Sequence, residues 1–127
     1  MPREITSHKV NGLNDALTIT ALNDPDGSGS ISAYNIGVVS HIQGGESELR
    51  LANIRFQIGP IQENGVNGIS NESLLGIVED RLKSFQVGPY ACRENAVALT
   101  KIQEAMMWLH FRTRERVARG VEGTSAK

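Results

Sequence analysis

The sequence predicts an α+β fold, a small N-terminal antiparallel β-sheet followed by a C-terminal αα-hairpin, in a chain that oligomerises. Three observations predict it. The first half alternates apolar and β-branched polar residues between turn signals, with no helical period in between. The second half holds two runs of three- and four-residue apolar spacing, separated only by Gly88-Pro89. Hydrophobic residues make up 39% of 127 residues and glycines number 13, which suits a small core that copies of the chain complete.

Taken in order, residues 1–10 read as an arm or first strand with Ile5 and Val10 apolar, ended by the turn dipeptide Asn11-Gly12. The run Leu17-Thr18-Ile19-Thr20-Ala21-Leu22 alternates as a half-buried strand does. A loop over 23–32 precedes a second strand over 33–39. Gly44-Gly45 marks a turn, and residues 47–57, with Leu49, Leu51, Ile54 and Phe56, form a further extended run that Gly59-Pro60 ends.

The organising stretch is 65–120. After the turn signal Gly65-Val66-Asn67-Gly68, Ser70 is a candidate N-cap for a helix carrying Leu74, Leu75, Ile77, Val78, Leu82 and Phe85. Past Gly88-Pro89, the run 90–119 places Asn95, Leu99, Ile102, Met106, Leu109, Thr113 and Arg116 on one helix face. Gly120 stops that helix. A lone helical hairpin cannot cover its own apolar face, so both the sheet and a second copy of the chain are expected to pack on it. We read the chain as one domain, with a sheet part over about 1–62, a hairpin over about 69–120 and a polar, flexible tail over 121–127.

The whole-chain numbers exclude several classes. A net charge of −1 is wrong for a coat on a nucleic-acid polymer. One cysteine, Cys92, excludes an internal disulfide and favours a reducing compartment; the thiol is expected to be a small packing residue. Met1-Pro2-Arg3-Glu4 leads into no signal-peptide core and no run is long enough to span a membrane, so a soluble cytosolic protein is expected.

The loop Asp24-Pro25-Asp26-Gly27-Ser28-Gly29-Ser30-Ile31 matches the first eight positions of a calcium EF-hand loop. The match fails at position twelve, where Asn35 replaces the bidentate glutamate, and the flank is a strand, so no metal is expected. His8, His41 and His110 are scattered and read as surface or edge residues. Glu79 and Asp80 are adjacent on a helix and point about 100° apart, a solvated face rather than an acid/base pair. No nucleophile, Walker or dinucleotide motif occurs, and no enzyme and no cofactor are expected.

The arginines are different. Arg112, Arg114, Arg116 and Arg119 crowd one helix end with only Glu115 among them. Helix-dipole complementarity explains one or two of them. Arg112 and Arg116, four apart, also suit two guanidiniums on one diphosphate. Both readings stand at this point. Phe85 reads as core or as a platform for a base, a stack worth ~1–3 kcal/mol. Asn95 heads the buried stripe and needs a partner. Arg93 lies near a helix N-terminus, where a cation does not stabilise, and so suggests an anion contact. Arg55 is placed to reach out from the sheet.

Three segments together resemble a phage family. They are Phe56-Gln57-Ile58-Gly59-Pro60 with Gly65-Val66-Asn67-Gly68, then Phe85-Gln86-x-Gly88-Pro89-Tyr90-x-Cys92-Arg93-Glu94-Asn95-Ala96, then Arg119-Gly120-Val121-Glu122-Gly123-Thr124. With Ser7-His8-Lys9-Val10-Asn11-Gly12-Leu13-Asn14-Asp15, the resemblance to first-type Thoeris anti-defence proteins spans nearly the whole chain. The helical half is also similar to the all-helical phage anti-CBASS sponge. The resemblance implies an N-terminal sheet, two C-terminal helices, and dimers that build hexamers. It implies a sponge in the cytoplasm of the infected host, binding without cleaving the glycocyclic ADP-ribose isomers made by TIR-domain proteins. Some members also hold cyclic di- or trinucleotides of CBASS at separate sites. Carried onto matching positions, Phe85 stacks on adenine, Asn95 hydrogen-bonds the ligand, Arg112 and Arg116 clamp the diphosphate, and Arg93 is a candidate for a second, cyclic-nucleotide site. The alternative is a sponge chiefly for CBASS cyclic di- or trinucleotides. Beyond it stand a nucleotide-degrading enzyme and a plain interaction module.

Overall fold

The structure, a computed structural model, describes residues 2–42 and 45–126, with side chains left aside over 40–47. The expected Gly44-Gly45 turn and the His41 side chain lie outside the described residues. The order is β1 (Arg3–Ile5), α1 (Gly12–Ala16), β2 (Leu17–Ala21), β3 (Ala33–Ile42), β4 (Gly45–Arg55), α2 (Ile61–Asn64), α3 (Asn71–Gln86) and α4 (Arg93–Ala118). The expected α+β class is what the structure shows. The chain divides into two compact units, Met1–Ile58 and Gly59–Lys127.

In the first unit the strands form an antiparallel meander in the order β1-β2-β3-β4. Directly paired residues share a face, and one face collects Leu17, Ile19 and Ala21 against Val38, Ile36 and Tyr34. Strand β4 continues this face only because it bulges opposite Ile36 and Gly37. Ile36 pairs with Ala52 and Gly37 with Arg50, so Leu51 is the extra residue, and Leu49 joins Ala52 and Ile54 on the apolar side. Tyr34 and Phe56 meet edge to face at 5.9 Å.

Two short helices depart from the sequence reading. Asn11-Gly12 is not a turn between strands: Asn11 caps α1, its Oδ1 accepting from the Asn14 N–H at 2.9 Å. Gly59-Pro60 does not simply end an extended run, because Pro60 is the N-cap of α2. His8, half-buried, hydrogen-bonds through Nε2 to the Leu17 carbonyl at 2.7 Å.

The loop over 23–32 is tied by side chains. Asn23 Oδ1 accepts from the N–H of Ser32 and of Ala33. Asp26 accepts from the Ser28 N–H at 2.8 Å and the Ser28 hydroxyl at 2.5 Å, an Asx turn. The Ser28 hydroxyl hydrogen bond, chiefly, holds the Asp26 carboxyl below the usual carboxylate range. A depressed carboxylate contributes stability that is fully present above its unfolded pKa and lost as pH falls through the folded value. NMR titration should therefore find Asp26 with a midpoint below the ordinary aspartate value, and Ser28→Ala should raise it. A midpoint unmoved by Ser28→Ala would contradict this reading.

The second unit is the helical hairpin with α2 and the C-terminal segment. Ser70 caps α3 as expected, in a reciprocal capping box with Ser73: each hydroxyl accepts from the other residue's N–H at 3.1 Å. On α4 the expected stripe is the observed one. Asn95, Leu99, Ile102, Met106, Leu109 and Thr113 are half-buried, and Arg116 is buried. On α3 the half-buried residues are Glu72, Leu74, Leu75, Gly76, Glu79, Leu82 and Gln86. Leu74, Leu75 and Leu82 turn inward as expected, while Ile77, Val78 and Phe85 face outward more than their apolar character predicts. Glu79 is thus not on a solvated face; it pairs with Lys83 at 3.6 Å, one turn along.

Helix α4 ends in a full Schellman motif. The Gly120 N–H donates to the Val117 carbonyl, and the Val121 N–H donates to the Arg116 carbonyl, both at 3.0 Å. Gly120 sits at φ +72°, a left-handed conformation in which a Cβ is strained. Gly120→Ala should cost about 1 kcal/mol in urea unfolding. No measurable cost would mean the motif does not fix the chain reversal.

Candidate ligand site on the helical hairpin

Phe85 is the next-to-last residue of α3 and is 37% exposed. The guanidinium carbon of Arg81, one turn back, lies 5.0 Å from its ring centroid. This partly open aromatic with a cation already over its ring is not a core residue. Arg81 was missed in the sequence, although its spacing of four from Phe85 is the signal that finds it.

Across the turn, Cys92 is the N-cap of α4, its thiol accepting from the Asn95 N–H at 3.4 Å. Cys92 is exposed, not the packing residue expected, because the cap position needs its side chain outside the helix. Gln86 braces the turn in both directions. Its Nε2 donates to the Cys92 carbonyl and its Oε1 accepts from the Cys92 N–H, both at 3.2 Å. The brace joins the residue after Phe85 to the first turn of α4, which carries Arg93, exposed, and Asn95, half-buried. Phe85, Arg93 and Asn95 are therefore grouped at one end of the hairpin.

Arg112 and Arg116 stand near the other end of α4. At about 1.5 Å per residue, Asn95 and Arg112 are roughly 25 Å apart along the helix axis. One chain does not bring the four expected site residues together. The two arginines also differ in state. Arg112 is exposed, with no hydrogen-bond or ion-pair partner among the described residues. Arg116 is 8% exposed, and residues 121–126 close around its guanidinium.

There, Nε donates to Glu122 Oε2 at 3.1 Å, Nη1 to the Ala126 carbonyl at 2.6 Å, and Nη2 to the carbonyls of Val121 and Thr124 at 2.9 and 3.1 Å. The segment expected as a flexible tail thus has its carbonyls engaged by a buried cation. Glu122, the one carboxylate at this arginine among the described residues, has no assignment from the sequence because a polar C-terminal stretch carries no periodicity.

The sheet face opposite the apolar one is polar. A groove of about 330 Å³ there is lined by Pro2, Thr20, Leu22, Asn35, Glu48 and Arg50. Glu48 and Arg50 oppose each other in charge, so the groove has no marked preference for an anion. Arg55, expected to reach outward, donates from Nε to Asn53 Oδ1 at 3.2 Å, and Asn53 donates to Asn35 at 2.6 Å. Among the described residues no group of three His, Cys, Asp or Glu could hold a metal ion. No described helix is long and apolar enough to cross a membrane.

Helices α3 and α4 thus form a braced two-helix hairpin with an open aromatic at its turn and arginines near its far end. The chain belongs to the Acb2/Tad1 hairpin-domain family, whose model matches residues 48–114. The match takes in Phe85, Arg93, Asn95 and Arg112 and stops two residues short of Arg116. The chain is also similar to the protein named Thoeris anti-defense 1 of Bacillus phage SBSphiJ7, with 54% identity over 78 residues, covering 61% of this chain and 55% of that protein. The match thus spans about half the length of that curated relative.

Proposed function

We propose that this protein is a phage anti-defence sponge that binds, and does not degrade, TIR-derived cyclic ADP-ribose isomers in the cytoplasm of the infected host. Family membership and the relative's name support the anti-defence role. The observation that carries the site is that one hairpin presents both an open aromatic, Phe85, and an exposed Arg112 with no partner among the described residues. Phe85 stacks on the adenine, Asn95 hydrogen-bonds the ligand, and Arg112 with Arg116 clamps the diphosphate. Guanidinium forks fit phosphate oxygens in pairs.

The separation along α4 favours a site made by two copies. Helices running in opposite directions would set the Phe85 end of one chain beside the arginine end of its partner. An exposed ring pair on the same helix fits such an interface: Trp108 and Phe111 are 59% and 55% exposed and meet edge to face at 6.1 Å. A homodimer, or a hexamer built from dimers, follows from this reading. Arg93, exposed at the first turn of α4, belongs to a separate site for CBASS cyclic nucleotides.

A sponge must outcompete a receptor, so its affinity has to be nanomolar, about 12 kcal/mol. An aromatic stack, charge-assisted arginine contacts and a cleft preformed by two chains together supply that order of magnitude. Calorimetry with the TIR-generated isomer and, separately, with cyclic GMP-AMP and cyclic triadenylate tests the assignment. Nanomolar binding of the isomer is expected. Tighter binding of the cyclic oligonucleotides, lost in Arg93→Ala, would establish the CBASS sponge instead.

A further inference from the structure

Arg116 cannot hold a diphosphate and keep all its present contacts. A guanidinium has five N–H donors, and here four donor contacts go to residues 121–126. We propose that this C-terminal segment is an internal competitor for the anion site. In the free protein its carbonyls and the Glu122 carboxylate stand where phosphate oxygens would bind, and capture of ligand releases it. The inference rests on the functional reading above, in which Arg116 belongs to the clamp.

The contacts have the chemistry of a substitute anion. Glu122 supplies a carboxylate to Nε, and three carbonyls supply partial negative charge to both terminal nitrogens. This arrangement compensates a buried arginine while no phosphate is there. The segment is also anchored independently of Arg116. Gln62 on α2 donates from Nε2 to the Glu122 carbonyl and from its N–H to the Gly123 carbonyl, both at 3.0 Å. Gly123 has φ +79°, and a Cβ there would lie 3.0 Å from Ile61 Cγ1, so the segment passes close over α2. It is held at two points, one of which is the ligand's own.

A ligand that binds only the opened state loses apparent affinity in proportion to the closing equilibrium. Weakening closure must therefore tighten capture. Glu122→Gln keeps the shape and removes the charge; Gln62→Ala removes one anchor without touching an assigned ligand residue. Each is expected to bind the TIR-generated isomer roughly three- to tenfold more tightly than the unaltered protein. Hydrogen exchange on the full chain reads the same event directly: the amides of Gln62 and Thr124 should lose protection when ligand is added.

If the unaltered protein binds and both variants bind equally or more weakly, or the two amides stay protected in the complex, the segment positions Arg116 rather than competing for it. That overturns this proposal and leaves the sponge standing. If neither the unaltered protein nor either variant binds, the sponge reading falls and takes the proposal with it. Binding seen only in the variants would be the strongest support.

Discussion

Arg112→Ala should lower affinity for the cyclic ADP-ribose isomer by about 30- to 100-fold while leaving folding stability unchanged. The affinity loss follows from removing a guanidinium assigned to phosphate oxygens in a partly desolvated cleft. The stability result follows from the structure, since Arg112 is exposed and holds nothing among the described residues. Calorimetry and urea unfolding on the same preparation check both halves. An affinity within a factor of two of the unaltered protein would remove Arg112 from the site. Arg112→Lys should recover only part of the loss, because an ammonium keeps the charge and lacks the fork.

Arg116→Ala should behave differently, losing affinity and stability together. The side chain is buried and organises residues 121–126 through four contacts, so its removal should cost about 2–4 kcal/mol in urea unfolding. Protection of the Thr124 amide should fall even without ligand. The contrast between the two arginines is informative because their spacing of four makes them look equivalent in sequence. A stability cost below about 0.5 kcal/mol would show that the C-terminal segment is held by α2 alone.

Much of the fold was legible because it depends on local patterns. The alternation of 17–22 and 33–39, the Ser70 cap, the α4 stripe from Asn95 to Arg116 and the Gly120 stop all appear as expected. What was not legible depends on partners. Asn11-Gly12 can close a turn or open a helix, and Asn11 Oδ1 decides by capping Asn14. The bulge falls where the alternation of β4 breaks at the adjacent Leu51 and Ala52. Only the pairing with β3 shows that Leu51 is the extra residue and which face Leu49 joins. Glu79 reads as solvated until Lys83 is placed beside it.

The site divides in the same way. Asn95 lies on the α4 stripe and Arg112 near the end of that helix, as the spacing predicts, whereas Phe85 turns outward from the α3 stripe. The roles of all three are what the resemblance implies. The enclosure of Arg116 could not be read, because three of its four contacts go to backbone carbonyls, which every residue has. The Gln86 brace is hidden for the same reason, since both its partners are the backbone of Cys92. Side chain–backbone contacts leave little trace in composition, and they are what set the state of this site.

The most direct test of the account is capture and release. Purified protein is mixed with TIR-generated signal, free ligand is filtered away, and the protein is heated to release what it held. Recovery of chemically unchanged cyclic ADP-ribose isomer, freed only on denaturation, is the expected result. Altered nucleotide would contradict it in favour of an enzyme, and a protein that releases nothing would contradict it in favour of an interaction module.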